Sequence, residues 1–222
     1  MILEVRAVPP IYKNGFVIAC ERTHDGIVID PGDEVDELLA AVRDHDVHVT
    51  HILLTHAHVD HISGVDVAKE AFDAPIYLHQ GDLPLYERVL QQGAMFDFKV
   101  RPQPPIDVFY DMSAINFGDY EIRLHHTPGH SPGGVTLEVG RKGQPAGHLF
   151  VGDALFAGSI GRTDLAGGNH AQLILARGVR HTAEFHVAVV TRAERADSPN
   201  NFAGSPVLIV AFAGANELGT AR

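Results

Sequence analysis

The stretch Thr55-His56-Ala57-His58-Val59-Asp60-His61 decides the fold. Three imidazoles and one carboxylate fall within six consecutive residues, and the apolar run Ile52-Leu53-Leu54 leads into them. A short apolar run of that kind reads as the end of a buried strand. Ile62-Ser63-Gly64 follows, and residues 63–72 read as a helix. The cluster therefore sits where a strand hands over to a helix, the place where α/β sheets present their chemistry. Imidazole nitrogens and carboxylate oxygens are the ligands of zinc and related first-row metals. His56 and His58, two apart, can point the same way, and Asp60 and His61 are offset enough to serve a second ion. The bland alternative is a polar loop that merely contains histidines, and the density of the cluster argues against it. A lone histidine such as His24 or His79 carries the opposite expectation, a surface or satisfied residue.

Upstream, Leu3 to Val8, Phe16 to Glu21 and Ile27 to Asp30 read as three strands. Pro9-Pro10, Asn14-Gly15 and Thr23-His24-Asp25-Gly26 punctuate them as breaks and turns. Pro31-Gly32 ends the third strand, with Asp33 placed to cap a helix. Val35, Leu38, Leu39 and Val42 then recur at helical spacing, which predicts an amphipathic helix laid on a sheet. The opening is a β-meander followed by β-α-β.

Downstream, Pro75 to Leu78 reads as a strand, Leu83 to Gln92 as a helix and Met95 to Asp111 as an irregular crossing segment. Residues 114–125 read as a hairpin turning at Gly118-Asp119. Thr127-Pro128-Gly129-His130-Ser131-Pro132-Gly133 follows, and its Pro-Gly pair forces a tight turn that can aim His130 back at the first cluster. Val135 to Val139 is a further strand. The strand His148 to Val151 ends in Gly152-Asp153, placing a carboxylate at a third strand end, where it can bridge two cations. Gly-Asp alone is weak evidence; its value lies in the order His cluster, Pro-Gly-His, Gly-Asp, each after an apolar strand.

The chain has 222 residues, 45% of them hydrophobic and 20% charged, an ordinary balance for one sizeable α/β domain with a real core. A formal net charge of −11 with only four lysines opposes a nucleic-acid backbone, so nucleic acid is not an expected partner. The single Cys20 cannot form an internal disulfide, and its apolar run Phe16-Val17-Ile18-Ala19 reads as the setting of a buried structural thiol. No stretch approaches the roughly 18 apolar residues of a membrane span, and no leader pattern opens the chain. The expectation is a cytoplasmic protein with no membrane partner. The sequence leaves the oligomeric state open.

These motifs resemble the metallo-β-lactamase superfamily, and within it the glyoxalase II-like hydrolases. The resemblance rests on His56-Ala57-His58-Val59-Asp60-His61, Thr127-Pro128-Gly129-His130-Ser131-Pro132-Gly133 and Gly152-Asp153-Ala154-Leu155-Phe156. It rests also on Gly158 to Leu165 with Gly167-Gly168-Asn169-His170, and it covers roughly residues 1–175. It implies a four-layer αββα sandwich over residues 1–199, with 200–222 an atypical tail that reads as disordered. It also implies a site for two Zn2+ ions, with iron or manganese as alternatives. His56, His58 and His130 would hold the first ion, Asp60 and His61 the second, and Asp153 would bridge both. Asp60 and Asp153 would thereby carry the catalytic charge. Two cations about 3.5–4 Å apart bring a shared water toward ionisation at neutral pH and polarise a carbonyl. The implied substrate is a small acyl thioester, whose thiolate leaves without a strong general acid. No Ser or Cys nucleophile is needed, and Ser131 and Ser159 read as turn residues. Arg162 and Asp164 are candidates for orienting ligands, with a structural ion pair as the equal alternative.

One departure stands out. The family closes the second metal site with a further His in a Pro-Gly-His turn, and no Pro-Gly-His follows His130 here. Residues 171–179 read as the expected helix and 187–190 as the expected strand. The next loop carries Glu194 near the expected place; His181 and His186 come earlier. A shifted reading frame or divergence after roughly residue 176 would account for the change. Two rivals to the hydrolase follow. One is a persulfide dioxygenase of the same superfamily, which uses one iron. The other is a catalytically impaired metal-binding member with an incomplete second site.

Overall fold

Strand alternation sets the layers. Along β2 (Gly15–Ala19) and β3 (Asp25–Ile29), Val17, Ala19 and Val28 face one core, while Phe16, Ile18, Ile27 and Ile29 face another. Along β4 (His48–Leu53) and β5 (Ile76–Leu78), Ile52, Ile76 and Leu78 take the first face and Leu53 and Tyr77 the second. A sheet buried on both faces needs a layer on each side. The computed structural model describes residues 1–144, 147–156 and 159–176, together with the backbone of 177–178, 185–190 and 208–213.

With β1 (Ile2–Arg6) and β6 (Val108–Phe109) these strands form a six-stranded sheet in the order β1-β2-β3-β4-β5-β6. The β1-β2-β3 meander is antiparallel; β3, β4, β5 and β6 run parallel, joined by helical crossovers. The first core lies between this sheet and α1 (Val35–Asp44) and α3 (Val65–Phe72). Fully buried Leu38 is its anchor on α1; truncation to Ala would cost about 2–5 kcal/mol. The helix cap differs from expectation. Asp33 accepts from Ser63 Oγ at 2.8 Å, and the capping position falls on Glu34, whose carboxylate instead takes Gly32 N–H and pairs with Lys13 at 2.5 Å.

The second core lies between the two sheets. The second sheet is antiparallel and ordered β10-β9-β8-β7, from β7 (Ile115–Phe117), β8 (Tyr120–His126), β9 (Val135–Arg141) and β10 (His148–Phe150). Its inward residues Ile122, Leu124, Leu137, Val139 and Phe150 meet Phe16 and Ile18, and Cys20 lies fully buried among them, the structural thiol expected. After β11 (Leu155–Phe156) and β12 (Ser159–Ile160), α6 (His170–Gly178) packs through buried Leu173 against the Gly129 turn. The architecture is the αββα sandwich of the implied family.

Three elements depart from the sequence reading. The helix expected over 63–72 is α3, and a separate single turn α2 (Val59–Ile62) precedes it, so Asp60 and His61 ride on a helical turn rather than a loop. The 83–92 helix is likewise broken into α4 (Leu83–Tyr86) and α5 (Val89–Phe96). The crossing segment holds the short edge strand β6. Beyond α6, β13 (Phe185–Val190) pairs antiparallel with β14 (Leu208–Ala213). The first contains the strand expected at 187–190; the second lies in the stretch read as a tail. The rest of that tail, His181 and Glu194 lie outside the described residues. Of His186 only the backbone is described.

Candidate metal centre

The strand ends at one edge of the sandwich deliver every candidate ligand among the described residues. His56 to His61 follow β4, the 127–133 loop joins β8 to β9, and Asp153 follows β10. The edge is tied together by main-chain bonds: Asp30 N–H donates to Leu53 O at 3.0 Å and Val135 N–H to Thr55 O at 2.9 Å. Close backbone approaches fix the loops. A Cβ at Gly32 would meet Asp60 O at 1.9 Å, and one at Gly161 would meet Asp153 O at 1.8 Å, so only glycine fits at either place.

Two sets of donor atoms converge. His56, His58 and His130 form one triad; His56, His61 and Asp153 form another. The atoms of each set lie within 4.8 Å of one another. His58 Nδ1 stands 2.8 Å from His130 Nε2. Asp153 reaches toward both halves, Oδ1 at 3.2 Å from His61 Nε2 and Oδ2 at 3.6 Å from His130 Nε2. Asp60 joins neither triad; its Oδ2 lies 3.6 Å from His61 Nε2.

These side chains fit a metal because of what they lack. Buried polar atoms almost always have a partner, yet the Nε2 atoms of His56, His58 and His61 have none. Asp153 is near His61 Nε2 but not in line for a hydrogen bond. Meanwhile the opposite ring nitrogens are held. His61 Nδ1 donates to Asp30 Oδ2 at 2.9 Å and His130 Nδ1 to Arg162 O at 2.8 Å. Holding one nitrogen fixes the tautomer and aims the other inward, the usual arrangement behind a histidine ligand.

The electrostatics agree. Burial pushes the His58 imidazole down to about 3, aided by the neighbouring His130 and His61. Burial, with His61, His130 and His58 nearby, also puts His56 well below its ordinary value. Both rings are therefore neutral, as ligands must be. For His61 burial acts downward, but the carboxylates of Asp60, Asp153 and Asp30 outweigh it and raise the imidazole to about 10. Asp153 shows the converse: burial acts upward, and His61, His130 and His58 override it to hold the carboxyl below its usual range. In the metal-free protein the carboxylates hold a proton on His61, and a cation would supply that positive charge instead.

Several supporting residues carry little sequence signal. Asp30 accepts from Thr55 N–H at 2.7 Å, Thr55 Oγ at 2.6 Å and His61 Nδ1, all while buried. Its one signal is position, a carboxylate closing an apolar strand as Asp153 does. Gln92 spans Ala57 O and Val59 N from α5. Asp82 sits in the turn after β5 and bonds to both ligand loops. Other expectations resolve plainly. Arg162 and Asp164 pair with each other in solvent, and it is the Arg162 carbonyl, not its guanidinium, that orients His130. Ser131 Oγ donates to Asp82, and Ser159 is exposed. His24 is exposed and bonded to the His45 carbonyl; His79 accepts from Gly81 N–H.

A match to the family profile described as the metallo-β-lactamase superfamily spans residues 8–178. The chain belongs to the metallo-β-lactamase superfamily. The match stops close to where the sequence motifs stop. Within this metallo-hydrolase superfamily the chain is similar to hydroxyacylglutathione hydrolase GloC of Haemophilus influenzae, 30% identical over 182 residues, covering 78% of this chain and 81% of that one. It is similar in structure to the BLEG-1 B3 metallo-β-lactamase, with TM-score 0.72 and 30% identity over 81% of this chain and 85% of that one. TTHA1623, crystallised in a di-iron-bound form, gives TM-score 0.69 and 34% identity over 79% and 84%. That relative holds iron. Among the described residues no helix is long and apolar enough to cross a membrane.

Proposed function

We propose that the protein hydrolyses small acyl thioesters in the manner of glyoxalase II. The observation that carries the reading is the pair of donor triads that share His56 and face one carboxylate, Asp153. His56, His58 and His130 would hold a first ion; Asp60 and His61 would hold a second, with Asp153 between them. When bound, the two ions supply an ionised water near neutral pH and polarise the substrate carbonyl.

The chain's own groups do the rest. Asp30 and the Arg162 carbonyl lock the His61 and His130 rings, so that the donor atoms are set before substrate arrives. Asp153 keeps its negative charge and faces the space between His61 and His130. Among the described residues no side chain at the site is placed as a nucleophile: Ser131 is buried and committed to Asp82, and Cys20 lies in the inter-sheet core. A thioester suits this arrangement because a thiolate departs without a strong acid. The similarity to GloC supports a glutathione-type carrier.

The test is a substrate panel on protein reloaded with zinc, iron or manganese. Release of free thiol from S-lactoylglutathione is expected. Oxygen uptake with a persulfide, or opening of a β-lactam without thioester turnover, would replace this reading.

A further inference from the structure

The two halves of the first metal site come from loops far apart in the chain, and one buried carboxylate bolts them together. Asp82 is wholly inaccessible to solvent and pairs with no lysine or arginine among the described residues. Its three bonds go elsewhere. Oδ2 accepts from Ala57 N–H at 3.0 Å, between His56 and His58. The same oxygen accepts from Ser131 Oγ at 2.8 Å, next to His130. Oδ1 accepts from Gly133 N–H at 2.5 Å. The approach at Gly133 is tight, since a Cβ there would meet Asp82 N at 2.5 Å.

The turn that carries Asp82 is clasped a second time from outside. His79 Nδ1 accepts Gly81 N–H at 3.1 Å, and its ring stacks on His126 at 4.2 Å. His126 Nε2 in turn donates to Pro132 O at 2.9 Å, in the His130 loop.

From this geometry we infer that Asp82 is a positioning residue for the metal centre. It sets the spacing between the His56–His58 half and the His130 half without touching the ion. A carboxylate is required because all three partners are donors and an ionised carboxylate only accepts. An amide would turn an N–H2 group toward at least one of them. The inference rests on the reading of these histidines as metal ligands, and the test separates the two.

Zinc affinity of metal-stripped protein is measured by competition with a chromophoric chelator. The absorption bands of bound Co2+ report ligand geometry. Outer partners of metal ligands typically contribute 10–100-fold in affinity. Asp82→Asn is expected to weaken first-site zinc by about that factor and to change the Co2+ spectrum. Ser131→Ala removes one donor of three and should move both readouts less, in the same direction. Far-UV circular dichroism and thermal unfolding of the stripped proteins report folding separately. An Asp82→Asn protein that is less stable but binds zinc and Co2+ as wild type does would overturn the inference. Should that variant not fold, wild-type affinity and spectrum in Ser131→Ala would do so. Wild-type protein that binds no zinc would remove the metal reading itself.

Discussion

His58 Nδ1 and His130 Nε2 lie 2.8 Å apart although 72 positions separate the two residues in the chain. Two ring nitrogens at that distance share a proton or share a cation. Burial holds His58 neutral with a pKa of about 3, and the ring of His56, also kept neutral by burial, stands against both rings. That arrangement is the core of the proposed metal site. Removing one ring should empty it: His58→Ala is expected to lose most first-site metal, read as metal per chain by elemental analysis.

Behind that core, Asp30 serves His61 and Thr55 together. Asp30→Asn should weaken the second ion by about 10–100-fold, because the His61 ring is no longer held. It should also lower stability by about 1–3 kcal/mol, the cost of leaving a buried donor without an acceptor. Zinc titration reads the first effect and thermal unfolding of stripped protein the second. A loss of stability with unaltered second-site affinity would contradict the role given to Asp30.

Proton release on metal binding follows from the raised imidazole of His61. Its pKa near 10 in the metal-free protein means it is protonated at neutral pH, whereas His58, near 3, is not. Occupying the second site must therefore expel a proton from His61 at any pH below its raised value of about 10. By the same sign, the His61 charge stabilises the metal-free fold fully below the unfolded value, and that stabilisation is lost as pH rises through the folded one. Zinc titration calorimetry in buffers of different ionisation heat counts the protons. At least one per chain at the second site is expected at pH 7.5, from His61, with up to one more from ionisation of the shared water; none would contradict the assignment.

A metal-run hydrolysis also predicts what is dispensable. Cys20→Ser should leave turnover per bound metal unchanged, since the thiol is buried between the sheets with no path to substrate. Thiol release assayed against metal content checks it.

Much of this was legible in the sequence for physical reasons. Ligands at strand ends follow apolar runs, and such runs announce themselves, so the His56 loop, His130 and Asp153 could be found by order alone. The α1 face was legible because Val35, Leu38 and Val42 obey helical spacing. The break within the 83–92 helix was not, because the turn at Glu87-Arg88 contains no proline and keeps an apolar rhythm; nor was the single turn α2, which is too short to show a helical period. Asp82 was invisible for a different reason. Its role arises from three partners distant in the chain, and nothing in Gly81-Asp82-Leu83 marks a carboxylate as buried. The Arg162 carbonyl could not be read at all, since a main-chain acceptor has no sequence signature. Beyond α6 the sequence reading stands as made: Glu194, His181 or His186 closes the second site, or no protein ligand does and water fills the place. Two tight zinc equivalents that become one in Glu194→Ala would select Glu194. With three protein ligands alone, the second ion is expected to bind more weakly than the first, which the same titration reads.

The most direct test of the central claim is the rate of S-lactoylglutathione hydrolysis as zinc is returned, equivalent by equivalent, to exhaustively chelated protein. No turnover is expected at the start, with a rate that climbs as metal is restored and keeps climbing past the first equivalent. Turnover that survives complete removal of metal would contradict the account.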